Sequence, residues 1–273
     1  MIVLKLAAVP AVVWLASLAG RRWGHRVSGL IGGFPLIAAP IVLYLAMGGA
    51  SGEFIADTAW TTMAVAPAVG VHCLVYGWMS RLSMPRRLHW VVCLACAWTA
   101  CIIAEVILSG WVIKGPAGAA LALGLASLAS WLMPRVRGPV SIPHIPAVEI
   151  VVRMAAALVI AALIMLGAEF FGPRASGILL GFPVTSSVLP AFTLYLYGSD
   201  ATIRLLSGFT IGLIGFVTYF FAFASLVLPL GAGWSFAAGV VASVATVSVA
   251  LTWQRTRPGA RQFSTRHGKP DEH

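Results

Sequence analysis

Apolar runs of about 20 residues, the length that crosses a membrane as a helix, follow one another from end to end of the chain. The chain is 60% hydrophobic and 10% charged, whereas soluble domains average about 45–50% apolar and about 25% charged residues. So few charges cannot cover so large an apolar core, and lipid must therefore act as the outer solvent. The sequence predicts an all-α, polytopic transmembrane helix bundle that has the lipid bilayer as its first partner.

Nine helices account for these runs, because backbone groups exposed to lipid must bond within their own helix. The first run has the length of a signal peptide, but it contains Lys5 and no small-residue cleavage site precedes Arg21, so we interpret it as a retained helix. One integral membrane domain thus covers residues 1–253, and a disordered cytoplasmic tail covers 254–273. The nine predicted helices span residues 2–20, 27–47, 54–80, 88–109, 112–133, 147–171, 176–197, 202–229 and 234–253.

The basic residues predict the orientation, since cytoplasmic loops of membrane proteins are enriched in Lys and Arg. With the N-terminus outside, the outer segments hold only Lys5, Lys114 and Arg174, and Arg153 lies inside the sixth helix. This bias predicts a multi-pass protein of the bacterial inner (cytoplasmic) membrane, N-out and C-in. It also accounts for the net charge of +10 without a nucleic-acid partner. The basic residues on the cytoplasmic side are Arg21, Arg22, Arg26, Arg81, Arg86, Arg87, Arg135, Arg137, Arg204, Arg255, Arg257, Arg261, Arg266 and Lys269.

An internal repeat is the most informative pattern in the chain. The segment Arg26–Pro35 (RVSGLIGGFP) matches Arg174–Pro183 (RASGILLGFP) at six of ten positions, with a constant offset of 148 residues. At the same offset Lys5 aligns with Arg153. Helices 1–4 therefore repeat as helices 6–9, and the odd number of spans between equivalent points inverts the second copy. We divide the domain into repeat A (1–110), a connector with helix 5 (111–146) and repeat B (147–253).

Each half resembles the small four-helix membrane proteins of the GlpM-like group. The features that carry the resemblance are Lys5 before a basic loop, the segment Gly29–Pro35 (GLIGGFP), and the Val75-Tyr76 pair in the third helix. The second half departs from this pattern, with Arg153 in place of the Lys. The resemblance implies a membrane protein connected with cell-envelope or exopolysaccharide physiology, here as a fused inverted duplication.

The repeated Gly-Phe-Pro motif falls about eight residues into its helix, where proline removes a backbone N–H and kinks or breaks the helix. New half-helices could start at Pro35 and Pro183, with their positive N-terminal ends facing a polar or anionic group near the middle of the membrane. The second copy is followed by hydroxyl residues and the first by apolar ones, so such a site would be asymmetric. The candidate substrate-binding residues are Gly33, Phe34, Pro35, Gly181, Phe182, Pro183, Thr185, Ser186, Ser187, Lys5 and Arg153.

A packing role is the alternative interpretation of the same motif. Gly29 with Gly33, and Gly177 with Gly181, form small-xxx-small patterns that let helix backbones approach closely. The two halves would then cross where helices 2 and 7 meet. A packing seam and a ligand site are compatible, since a crossing of kinked helices can also leave a cavity.

Ionisable residues inside spans are costly and raise functional hypotheses. For Lys5 and Arg153 we favour snorkelling to the membrane surface over a shared anion-attracting role, and Glu149 has the i,i+4 spacing to pair with Arg153. His72 is a proton-relay candidate, although an interhelical hydrogen bond is the favoured interpretation. Asp57 is interpreted as an interfacial residue. Glu105, near the outer end of the fourth helix, and Glu169, near the outer end of the sixth, are candidate partners for Lys5.

No catalytic triad, zinc motif or P-loop appears, so neither enzyme activity, a metal nor a cofactor is predicted. We interpret Cys73, Cys93, Cys96 and Cys101 as small packing residues. The repeat favours a small secondary transporter or flippase with a small polar, anionic or lipid-linked substrate, and the chain could pair as a homodimer. The alternative is a non-transporting envelope scaffold or regulator linked to exopolysaccharide or lipid machinery.

Overall fold

The computed structural model describes residues 2–136, 138, 145–171 and 183–256, with side chains for 9–136, 138, 145–162 and 183–252. The described residues contain helices and no strands. The helices are α1 (Ile2–Trp23), α2 (His25–Gly33), α3 (Ala38–Met47), α4 (Gly52–Met79), α5 (Arg86–Ser109), α6 (Gly115–Leu132), α7 (Ala147–Phe171) and α8 (Val184–Thr256).

The long final helix α8 is interrupted at two glycines. Gly198 has a φ of 83° and Gly231 a φ of 75°, values that residues with a side chain rarely adopt. These breaks divide α8 into α8a (184–197), α8b (199–230) and α8c (232–256), close to the boundaries that the sequence predicts for helices 7 to 9.

Among the described residues, five helical stretches are long and apolar enough to cross a membrane by length and composition. The helical architecture is as predicted, and these stretches are compatible with the predicted membrane bundle. The five stretches are His25–Met47, Gly52–Met79, Arg86–Ser109, Gly115–Leu132 and Val184–Thr252.

The predicted helix 27–47 is interrupted and forms α2 and α3. Phe34 is extended, with φ −70° and ψ 156°, because the residue before a proline is biased away from the helical region. Pro35 has no N–H to continue the ladder. The Ala39 N–H donates to the Pro35 carbonyl over 2.9 Å, and α3 begins at Ala38, three residues beyond the half-helix start predicted at Pro35.

Two apolar clusters form the core. One joins α3, α4, α6 and α8b around Met63, Tyr219 and Phe220, and the other joins α1, α4, α5, α7 and α8 around Val13 and Leu205. Cys73 and Cys93 lie in the second cluster, in agreement with the predicted packing role. These clusters fix α4 and α8b at the centre of the bundle, with the polar segment α8a beside them.

Candidate functional site

The first copy of the motif forms a close helix crossing. A Cβ added to Gly29 would overlap the carbonyl oxygen of Leu205, and one added to Gly33 would overlap the carbonyl oxygen of Phe209. The partners on α8b are themselves glycines, since a Cβ on Gly208 or Gly212 would overlap backbone atoms of α2. We call these four residues the glycine seam.

The seam corrects the expected partner of the first motif. Gly29 and Gly33 pack on α8b, which corresponds to the predicted eighth helix, whereas the sequence suggested the seventh. Backbone meets backbone in this crossing, so it holds no side chain and has no room for a ligand. Pro35 is buried and Phe34 half-buried beside the seam. Gly177, Gly181 and Phe182 lie outside the described residues.

The second copy of the motif leads into a polar segment. Pro183 directly precedes the first residue of α8a, Val184, as predicted for a half-helix that starts there. The hydroxyls of Ser186 and Ser187 both donate to the Pro183 carbonyl, over 3.2 Å and 2.6 Å. Thr185 is also buried, so all three predicted hydroxyl residues face the interior of the bundle.

Two neighbouring helices supply polar side chains to this segment. His72 of α4 lies with Nε2 3.1 Å from the Ser186 carbonyl oxygen, which is the interhelical hydrogen bond favoured from the sequence. Trp98 of α5 donates its indole N–H to the Ser187 hydroxyl over 2.8 Å. We call His72, Trp98, Ser186 and Ser187 the polar cluster.

Three of the four residues of the cluster are fully buried, and the cluster is not fully bonded. His72, Ser186 and Ser187 each have 0% exposure. Nδ1 of His72 nevertheless has no hydrogen-bond partner among the described residues, and buried polar atoms are rarely left in that state. The cluster therefore combines hydroxyl and N–H donors with an unused imidazole nitrogen beside the positive end of a helix.

Arg153 does not snorkel, contrary to the sequence-based interpretation. Its side chain is buried and donates from Nη2 to Oε1 of Glu149 over 2.5 Å, so the predicted i,i+4 pair is confirmed. The Tyr197 hydroxyl donates to Oε2 of the same carboxylate over 2.7 Å, and the guanidinium lies over the Phe192 ring. Contacts from α8a thus replace the water that a snorkelling Arg would reach.

The Glu149–Arg153 pair anchors α8a near the Gly198 break and is not a part of the polar cluster. Tyr197 ends α8a at the break, and its ring lies 5.1 Å from the ring of His25. Arg86 of α5 donates from Nε to the Tyr195 carbonyl. Lys5 belongs to α1, but its side chain lies outside the described residues, so its comparison with Arg153 stays a prediction.

One further expectation, on Asp57, can be compared with the structure. Asp57 is exposed and pairs with Lys114 over 2.6 Å, as expected of an interfacial residue. No three His, Cys, Asp or Glu side chains converge on a possible metal position in the described part of the chain.

Trp98 and Tyr197 are the residues of these sites that sequence reasoning missed. Trp98 lies in the middle of α5, away from the membrane surface where most tryptophans of the chain are expected. An indole N–H away from water normally requires an acceptor. The position of Trp98 in the middle of α5 could therefore have identified it as a residue that bonds to another helix. Tyr197 carries no comparable signal in the sequence.

Comparisons with protein-family models, with curated proteins and with solved structures each return no match. The resemblance to the GlpM-like group therefore depends on the motif residues alone.

Proposed function

We propose that the protein is a small secondary transporter or flippase of the bacterial cytoplasmic membrane, with nine spans and two inverted four-helix repeats. Its substrate site is the polar cluster at the start of α8a, and its substrate carries a small anionic group such as a phosphate, either free or on a lipid. The observation that carries the proposal is this buried set of donors at a helix that begins within the bundle. Discontinuous helices with polar groups at their ends are the usual substrate sites of secondary transporters.

Contacts between helix ends support the nine-span, N-out arrangement. That arrangement brings the end of α4, the start of α5 and both sides of the Gly198 break to the inner surface. The hydroxyls of Ser80 and Ser199 lie 3.3 Å apart, and Arg86 bonds to the Tyr195 carbonyl. On the outer side, the same arrangement brings Asp57 next to Lys114, which are paired.

Helix pairing supports the repeat. α1 packs against α7, and α4 packs against α8. In the predicted repeats, α1 corresponds to α7 and α4 to α8b, so equivalent helices of the two halves lie in contact. Such contacts between equivalent helices are expected where two inverted copies meet along a pseudo-two-fold axis.

The geometry also suggests how alternating access would work. The glycine seam holds α2 on α8b through backbone contacts and would serve as a fixed element. α8a is bounded by Pro183 and by the Gly198 break, so it can tilt without moving the seam. In the closed state the serine hydroxyls bond to the Pro183 carbonyl. In an open state they would turn to a substrate, whose anionic group the helix N-terminus would favour.

Flux into proteoliposomes tests this proposal. Radiolabelled orthophosphate measures a free anion, and fluorescent phosphatidylglycerol with an external quencher measures movement of a lipid headgroup. We expect one of the two probes to move with the wild-type protein, and the Ser186→Ala/Ser187→Ala variant to lose that flux. Ser248→Ala is the matched control, because this exposed Ser in α8c bonds only to the Val244 carbonyl.

Proline variants test the role of the repeated motif. Pro183→Ala should reduce flux, since Pro183 directly precedes the first residue of α8a and proline limits how far a helix can continue past it. Equal flux in the wild type and in a Pro35→Ala/Pro183→Ala double variant would contradict the role that we give the repeated motif. Absence of flux for both probes in folded protein would contradict transport of these groups.

A non-transporting envelope scaffold or regulator is the second candidate. The observation that favours it is the full burial of His72, Ser186 and Ser187, whose two serine hydroxyls are already bonded within the protein. The GlpM-like resemblance points to exopolysaccharide or lipid machinery as the setting. Co-purification of a stoichiometric membrane partner, together with absent flux, would favour this function.

A further inference from the structure

Glu105 is a buried acid that the proposed site does not use. It lies on α5 with 2% exposure, one helical turn before the last residue of the helix, Ser109. Its Oε1 atom has no hydrogen-bond partner among the described residues. A buried acid with a structural role is normally satisfied by donors or by a cation, and no described residue bonds to this atom.

The surroundings of Glu105 determine its charge state. An isolated carboxylate inside an apolar bundle is so costly that the group takes up a proton instead. Among the described residues, Cys101, one turn earlier on α5, interacts with Glu105, and Cys73 of α4 interacts with Cys101. Lys5, the predicted partner of Glu105, and Glu169 are expected at the same end of the bundle, and their side chains lie outside the described residues.

The buried face of α5 connects Glu105 with the polar cluster. Cys93, Ala97, Cys101 and Glu105 are its buried residues, spaced four apart. Glu105 is therefore about 12 Å along the axis from Ala97, eight residues away. Trp98, the next residue, is the one that bonds to Ser187. α4 packs against α5 and carries His72, whose Nδ1 has no hydrogen-bond partner among the described residues.

We propose that Glu105 binds and releases the coupling proton of the transporter, and that His72 links this proton to α8a. The inference rests on the proposed transport function. In the closed state Glu105 is neutral and holds the proton. When the outer end opens, the carboxyl O–H bond breaks, water takes the proton, and the carboxylate is hydrated. His72 transmits the loss of this proton to α8a, because its Nε2 atom faces the Ser186 carbonyl oxygen of that helix.

Carbodiimide labelling tests the proton site without transport. The O–H of a protonated carboxyl adds across dicyclohexylcarbodiimide: the carboxyl oxygen bonds to the central carbon, and the proton moves to nitrogen. The adduct then rearranges to a stable acylurea without loss of atoms. We expect peptide mass spectrometry of the reconstituted protein to find the label on Glu105, less of it at alkaline than at acidic pH, and none on the exposed Glu53. A Glu105 that stays unlabelled, or is labelled equally at both pH values, would overturn the inference.

Flux measurements test the coupling itself. Proteoliposomes are loaded with a pH-sensitive dye that reports the internal pH, and a pH gradient is imposed across their membrane. The flux of orthophosphate or of labelled phosphatidylglycerol is then measured with and without the gradient. We expect the gradient to accelerate wild-type flux, and Glu105→Gln and His72→Gln to lose this acceleration while Glu53→Gln keeps it. Flux that persists but ignores both the gradient and Glu105→Gln overturns this inference alone. Absence of flux for both probes overturns the transport proposal and this inference with it.

Discussion

The two copies of one sequence motif have different surroundings in this protein. Around Gly29 and Gly33, α2 lies on α8b with backbone against backbone, and glycine is required on both helices. Around Pro183, the chain enters a helix whose first turn is lined by hydroxyls and contacted by imidazole and indole groups. Both copies of the Gly-Phe-Pro motif lie shortly before the start of a helix, α3 after Pro35 and α8a after Pro183, but the first copy borders the glycine seam and the second borders the polar cluster.

The comparison also separates two ways of stabilising a helix bundle. The seam depends on shape and contains no charge. The polar side depends on bonds between side chains from α4, α5 and α7 that converge on α8a. Substitutions at the seam should therefore destabilise the fold by adding side-chain volume. Substitutions on the polar side should destabilise it by leaving buried polar groups without a bonding partner.

The largest effect is expected at the Glu149–Arg153 pair that anchors α8a. Arg153→Met leaves the Glu149 carboxylate buried without its cation, and breaking a buried ion pair typically costs about 3–5 kcal/mol. The free energy of unfolding in mixed micelles should fall by this amount. The double variant Arg153→Met/Glu149→Gln should recover most of the loss, because neither charge remains. Equal losses in the single and double variants would show that the guanidinium acts through packing alone.

A smaller but clear effect is expected at the seam. Gly29→Ala places a Cβ on the Leu205 carbonyl, and overpacking of this kind typically costs about 1–3 kcal/mol. Gly124→Ala on α6 is the matched control, because no atom lies within 4 Å of its added Cβ. Unfolding measurements should show a loss for Gly29→Ala and none for Gly124→Ala. A tolerated Gly29→Ala would contradict the close crossing.

Local patterns in the sequence predict much of the helix layout. The break at Phe34-Pro35 follows from proline chemistry, and the Glu149–Arg153 pair follows from its i,i+4 spacing. The ends of α8a and α8b fall at Gly198 and Gly231, near the predicted boundaries. Each of these features depends on residues close together in the chain.

Features that depend on the pairing of distant helices could not be predicted in the same way. Gly208 and Gly212 have the small-xxx-small spacing, but nothing local shows that their partner is Gly29 with Gly33. The burial of Arg153 was missed because Tyr197 and Phe192 come from another helix. Trp98 joins the polar cluster for the same reason, through a serine 89 residues away.

Removing hydrogen bonds of the polar cluster should lower the free energy of unfolding moderately, and the effects of two contacting residues should be coupled. Trp98→Phe and Ser187→Ala each remove the same hydrogen bond, and one such bond contributes about 0.5–1.5 kcal/mol. The double variant should lose less than the sum of the single losses, as expected of directly contacting residues. Trp78→Phe is the control, since the Trp78 indole N–H donates to the Leu132 carbonyl and not to the cluster. Its loss of free energy should add to that of Ser187→Ala. Additivity of Trp98 and Ser187 in a double-mutant cycle would contradict the cluster.

The smallest effect is expected at the exposed ion pair of Lys114 and Asp57, which contrasts with the buried pair of Arg153 and Glu149. Lys114 and Asp57 are 2.6 Å apart, but their side chains are 58% and 63% exposed. Water screens exposed pairs, which typically contribute about 0–1 kcal/mol, so Lys114→Ala should change the free energy of unfolding by no more than this. The change should also shrink at high salt, whereas the Arg153 effect should persist because buried pairs are screened much less. The free energy lost in Lys114→Ala could instead be as large as that lost in Arg153→Met and independent of salt. That result would mean that the Lys114–Asp57 pair is shielded from water, and it would contradict the contrast between the exposed and the buried ion pair.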